Sequence, residues 1–151
     1  MSQVVQIAAF QPDLAPNLGS MVRLGVCFDA PVHVIEPCGF PFSMKLLASR
    51  ALDYGEKADV RHHDDWDAFQ AARSGRLVLL STKAKVDLWD FDFQPGDCLL
   101  LGRESAGVPP EVAESADHAV RIAMPGDGRS LNVAIAAAIA VAEATRQLGS
   151  R

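Results

Sequence analysis

The chain has 151 residues, 49% of them apolar and 22% charged, the profile of one soluble domain (1–151) with room to bury roughly 70% of its unfolded surface. Its 14 Lys+Arg against 19 Asp+Glu give a net charge of −5, which argues against a generic nucleic-acid binder and leaves any RNA contact to local patches. Cys27, Cys38 and Cys98 are scattered and form no CxxC pair, which excludes a zinc ribbon or a disulfide framework and fits a reducing cytoplasm.

No charged leader or apolar signal core opens the chain, so secretion is not expected. Short apolar runs then alternate with helical patterns. Strands are expected at 4–10, 32–35, 76–81, 97–101 and 119–123, with a weaker one at 58–62. Most lack in–out alternation, as strands buried on both faces do. Helices are expected at 17–28, 43–54, 65–72 and 110–116, with Ser43 and Asp64 or Asp65 as N-caps and Pro110 in a first turn. The alternation predicts a mostly parallel sheet with helices on both faces. Residues 83–94 are the least regular, with Trp89, Phe91 and Phe93 spaced by two, and read as a loop over the sheet edge.

The last segment is the most informative. Pro125-Gly126-Asp127-Gly128-Arg129-Ser130 is a glycine-bent turn that runs into a helix apolar on nearly every face, up to Leu148. Ser130 or Asn132 would cap that helix. A helix of this kind must be covered all round, so the turn is expected to be buried or half-buried around a ligand. The apolar stretch 131–142 is too short to span a bilayer.

In a parallel sheet, ligands bind at the carboxyl ends of strands. Three segments stand there: 11–19, 102–109 and 125–130. Singly, each has a bland reading, with Asn17 and Ser130 as caps, Gly102 and Gly107 as turn glycines, and Arg23 as a solvated side chain. The dinucleotide fingerprint, the P-loop and the GxSxG elbow are all missing. His62-His63-Asp64-Asp65 reads as a solvated helix entrance rather than a metal site, and His33 and His118 as hydrogen-bonded strand histidines.

Taken together, the three segments resemble motifs one, two and three of the SPOUT class of RNA methyltransferases. Motif one is Pro16-Asn17-Leu18-Gly19-Ser20-Met21-Val22-Arg23. Motif two is Leu101-Gly102-Arg103-Glu104-Ser105-Ala106-Gly107-Val108-Pro109, and motif three is Arg129-Ser130-Leu131-Asn132-Val133 with its alanine-rich helix. The likeness runs through the whole chain in order. Segments 10–17 and 33–41, with Leu52-Asp53-Tyr54 and Arg61-His62-His63, are most similar to the tRNA (cytidine(34)-2′-O)-methyltransferase family.

The resemblance implies an α/β fold, a mostly parallel sheet flanked by helices with a C-terminal deep trefoil knot. It implies S-adenosyl-L-methionine as cofactor and methyl transfer to the ribose 2′-OH of the wobble nucleotide of tRNA, a cytidine or modified uridine. It also implies a cytoplasmic homodimer with neither metal nor membrane. Carried over residue by residue, the cofactor pocket falls on Leu80, Gly102, Ile122, Ser130 and Leu131, and the catalytic and substrate-facing positions on Asn17, Arg23, Glu104 and Asn132. Three departures stand out: Leu18 where threonine is usual, Val133-Ala134-Ile135 in place of a more polar stretch, and Ala142 where tyrosine is common.

Arg23 is expected nearest the reacting hydroxyl. An arginine resists deprotonation, so its role would be to stabilise the developing alkoxide, with Glu104 orienting Arg23 or the ribose. Arg50, Arg61, Arg103 and Arg129 would gather into an RNA patch, across a dimer. Other readings are a SPOUT enzyme acting on another tRNA or rRNA ribose, a non-catalytic cofactor-binding RNA module, and a flavodoxin-like nucleotide binder.

Overall fold

The computed structural model describes residues 5–43, 45 and 58–149. Seven strands form one sheet: β1 (Val5–Phe10), β2 (Val32–Ile35), β3 (Val60–His63), β4 (Leu77–Leu80), β5 (Val86–Asp87), β6 (Asp97–Leu101) and β7 (His118–Arg121). Their order is β3-β2-β1-β6-β4-β7-β5, and every pairing is parallel. Among the described residues four helices flank it: α1 (Ala15–Cys27), α2 (Trp66–Ala72), α3 (Pro110–Ser115) and α4 (Val133–Leu148).

Burial explains why the strands read as unbroken apolar runs. All six residues of β1 are buried. Val5, Ile7 and Ala9 face a core completed by Leu18, Met21 and Val22 of α1 and Ala137, Ala140, Val141 and Ala144 of α4. Ala8 and Phe10 face the other side, against Phe69 of α2 and Val112 of α3. Helices on both faces are what an all-parallel sheet requires.

Several expected elements shift. The strand expected at 119–123 is β7, beginning at His118 and ending at Arg121, which leaves Ile122 in the segment beyond it. The weaker strand is Val60–His63. Residues 83–94 are more than a loop, because Val86–Asp87 adds a parallel edge strand to β7 and Leu88–Asp90 forms a 3-10 turn. The helix expected at 43–54 lies outside the described residues apart from its first positions. β7 stands between β4 and β5, two strands joined only by residues 81–85.

The helix ends follow local chemistry. α1 starts at Ala15 with Pro16 in its first turn, where a fixed φ and a missing N–H cost nothing. Asn17 therefore lies inside the helix and is not its cap. Asp65 does cap α2, accepting from the Ala68 N–H at 2.8 Å. Asn132, not Ser130, caps α4; its Oδ1 accepts from the N–H of Ala134 at 2.8 Å and of Ile135 at 3.2 Å. α4 is not covered all round: Ala137, Ala140, Val141, Glu143 and Ala144 are buried, while Ile135 is 53% exposed. Glu143 is buried against Arg146 and Gln147, each 2.8 Å away, and Arg146 holds its carboxyl down to about 2.

A buried polar chain crosses the sheet. Gln6 Nε2 donates to the carbonyls of Ser74 (3.1 Å) and Gly96 (3.0 Å), so its Oε1 must accept from His33 Nε2 at 2.8 Å. His33 Nδ1 is then left to accept from His63 Nε2 at 2.9 Å. Burial, reinforced by His63 and Arg61, pushes the His33 imidazole down to about 4. Below pH 6.5 the unfolded chain takes up a proton that the folded chain refuses, so this contribution is lost as pH falls from 6.5 towards 4. The expected difference is about 3 kcal/mol between pH 7 and pH 4. Thermal melts of wild type and His33→Gln across that range check it, and the variant should show the flatter profile.

Candidate active site

The carboxyl ends of β6, β4 and β7 open into a cavity of about 830 Å³, within the usual size of a small-molecule site. Leu80 enters it from β4, Gly102 from the end of β6 and Ile122 from the end of β7, and Ser130, Leu131 and Asn132 come from the turn before α4. Asn17 of α1 and Glu104 complete the set. All five positions expected to hold the cofactor therefore line one cavity, together with Asn17, Glu104 and Asn132. Leu79, Leu101, Val133 and Ala136 make the walls apolar. Of the alanines of α4, Ala136 serves this wall, while Ala137, Ala140 and Ala144 pack into the core.

Motif two is a tight hairpin that only glycine permits at two places. Arg103 and Gly107 exchange backbone hydrogen bonds of 3.0 and 2.9 Å. A Cβ on Gly102 would stand 2.7 Å from the Cα and carbonyl carbon of Gly107. Gly107 itself has φ +64°, in the left-handed region.

The polar groups are held by their neighbours. Because Asn132 spends its Oδ1 on the helix cap, its Nδ2 is free to donate to Asn17 Oδ1 at 3.1 Å. This bond ties motif three to motif one. Glu104 Oε2 accepts from the Asp13 N–H at 3.0 Å, and Asp13 Oδ2 accepts from both the N–H and the hydroxyl of Ser105. Glu104 Oε1 is buried with no partner. A buried carboxylate oxygen without a donor is costly, and here it is an acceptor at a cavity built to hold a ligand. Asp13 was not singled out in the sequence; its signal was an acidic residue just after Pro12, at the end of β1.

Other expectations fall elsewhere. The turn at 126–132 is exposed in the single chain rather than buried, and so are Leu131 (37%) and Leu14 (52%) at the cavity mouth. Arg23 is exposed on α1, six residues and about 9 Å of helix beyond Asn17, and does not line the cavity. Of the four arginines expected to form an RNA patch across a dimer, Arg61 on the edge strand β3 is paired with Asp59 at 2.9 Å. Arg103 lines the cavity, Arg129 lies exposed on the turn, and Arg50 lies outside the described residues. His62 bonds Glu36 at 2.8 Å. Among the described residues no three His, Cys, Asp or Glu side chains are grouped as for a metal ion, and no helix is long and apolar enough to cross a membrane.

Known proteins share both the sequence and the shape. Residues 4–142 match the SpoU rRNA Methylase family. A protein of Beijerinckia indica named tRNA (cytidine(34)-2′-O)-methyltransferase is 46% identical, with 95% of this chain aligned to 92% of that one. A protein of the same name from Ancylobacter novellus is 42% identical over 95% and 92%. A solved structure bearing on 2-OH methylation of C/U34 on tRNA superposes with a TM-score of 0.90 at 37% identity, covering 97% of each chain. The AdoMet-bound rRNA methyltransferase of Sinorhizobium meliloti gives a TM-score of 0.84 at 26% identity, over 98% of this chain and 58% of that one. With the three motif ends meeting at one cavity and the match extending over nearly its full length, the chain belongs to the SpoU methylase family.

Proposed function

We propose that this protein transfers the methyl group of S-adenosyl-L-methionine to the ribose 2′-OH of the wobble nucleotide, cytidine or modified uridine, of tRNA, working as a cytoplasmic homodimer. The observation that carries the reading is the convergence of Leu80, Gly102, Ile122, Ser130 and Leu131 on a single apolar cavity with polar groups at its mouth. The names and full-length coverage of the relatives at 46% and 42% identity support the wobble ribose as target. Bound there, the cofactor supplies a methyl group already activated on a sulfonium centre.

The chain's own task is then alignment and charge. Asn17 and Asn132, bonded to one another, fix motifs one and three across the cavity. Glu104, anchored through Oε2 on the Asp13 N–H, offers Oε1 to a hydroxyl donor. Holding hydroxyl and methyl in line supplies much of the acceleration. Arg23 stabilises the alkoxide as it develops. Since Arg23 stands outside the cavity of its own chain, it serves the cavity of a second copy, whose approach also covers Leu14, Leu131 and Ile135.

Of the departures from the wobble family's pattern, Val133 lines the cavity wall, while Leu18, Ala134, Ile135 and Ala142 do not line it. Leu18 is fully buried in the core, and Ile135 and Ala142 are exposed on the open face of α4. The test is transfer of labelled methyl to unmodified tRNA transcripts and to total tRNA, with mapping of the labelled nucleotide. Label on the wobble ribose is the expected result. Label on another ribose moves the substrate, and cofactor binding without transfer to any RNA overturns the reading.

A further inference from the structure

We infer that Arg103 is a docking point for a backbone phosphate of the RNA, a phosphodiester subsite beside the cavity; the inference rests on the tRNA reading above. Among the described arginines, Arg61, Arg73, Arg76, Arg121 and Arg146 each lie against a carboxylate. Arg103 does not, although the chain carries 19 acidic residues. It is nevertheless held in place. Its guanidinium carbon stands 5.6 Å above the ring centroid of Phe10, and its Nε approaches the Gly107 carbonyl at 3.4 Å. Its backbone is bonded both ways to Gly107.

A stacked guanidinium loses little freedom on binding, and its outer edge presents a fork matched to an oxyanion. The neighbouring residue supplies the complementary feature, since Glu104 Oε1 is a buried acceptor without a donor. A cation and a hydroxyl acceptor on successive residues fit a ribose joined to its phosphate.

An oxyanion at this place has two sources, the RNA backbone or the carboxylate of the cofactor. The sheet order favours the RNA. The cofactor positions Leu80 and Ile122 stand at the ends of β4 and β7, whereas Phe10 ends β1, on the opposite side of β6. Arg103 therefore leans away from the cofactor's half of the cavity.

The experiment measures methylation of a tRNA transcript and tRNA binding from low to moderate salt for wild type, Arg103→Gln, Arg103→Lys and Phe10→Leu, with S-adenosylmethionine affinity measured in parallel. Arg103→Gln should raise KM for tRNA about tenfold and lower the salt slope by about one, with kcat and cofactor affinity retained. Arg103→Lys should restore the slope but not the full affinity, because the planar fork is lost. Phe10→Leu should weaken tRNA binding while leaving the slope unchanged, since the charge stays. A wild-type enzyme active on tRNA with Arg103→Gln indistinguishable from it overturns this inference alone. Loss of cofactor affinity with an unchanged salt slope also overturns it and assigns Arg103 to the cofactor carboxylate. Wild type that neither binds nor methylates tRNA overturns both this inference and the reading beneath it.

Discussion

Changing Arg23 to alanine should lower methyl transfer by about a thousandfold while cofactor affinity stays unchanged, the loss expected when a charge aimed at the transition state is removed. Lysine at the same position should recover little, since a point charge does not reproduce the guanidinium plane. The more telling measurement mixes two dead proteins. If Arg23 acts on the cavity of the other subunit, a heterodimer of Arg23→Ala and Glu104→Ala keeps one complete site, with Arg23 from one chain and Glu104 from the other. Statistical pairing across an isologous interface should then return about a quarter of wild-type activity. If Arg23 acts within its own chain, each site of that heterodimer lacks one residue and the mixture stays inactive.

In the proposed homodimer, replacing Ile135 with aspartate should leave a monomer and remove activity with it. Ile135 is 53% exposed, beside Leu131 at 37% and Leu14 at 52%, a greasy rim that one chain leaves open. A carboxylate forced into that rim on dimerisation costs several kcal/mol, and each 1.4 kcal/mol is about tenfold in affinity. Within the monomer the change is mild. Position 135 is the third residue of α4 after the Asn132 cap, where the helix dipole favours a negative charge. Light scattering and circular dichroism therefore separate the outcomes. A folded monomer without activity is expected, and a fully active dimer would remove the argument for a shared site.

Much of the fold was readable before any coordinates. β2 and β6 fall where the apolar runs do, and so does β1 from Val5, the first described residue, because both their faces are covered and burial leaves no alternation to misread. Asp65 and Pro110 marked their helix starts through side-chain chemistry that acts within a few residues. Asn17 misled for the same local reason. An asparagine near a helix start reads as a cap, but Pro16 moved the start two residues back and freed the side chain to bond Asn132, 115 positions away. β5, two residues long, is too short for any periodicity.

The site divides along the same line. The strand-end rule of a parallel sheet pointed to segments 102–109 and 125–130, and so to Gly102 and Ser130; Leu80, Ile122 and Leu131 came only from the resemblance to the SPOUT family. The bond from the Asp13 N–H to Glu104 spans 91 positions and has no local signature. The final helix is covered only in part by its own chain, and a single chain's sequence does not say whether the remaining surface comes from the same copy or another.

The place of β7 has a consequence for how the enzyme comes into being. It fills the gap between β4 and β5, which are linked by only five residues, 81–85. The cavity draws in turn on residues 80, 102, 122 and 130, and its wall closes with Ala136. No N-terminal fragment that ends before Ala136 contains all of these residues. While the ribosome is still building the chain, the nascent protein has strands and a growing core but nowhere to put a cofactor. A chain that stops before α4 lacks part of this lining, and it should bind no cofactor.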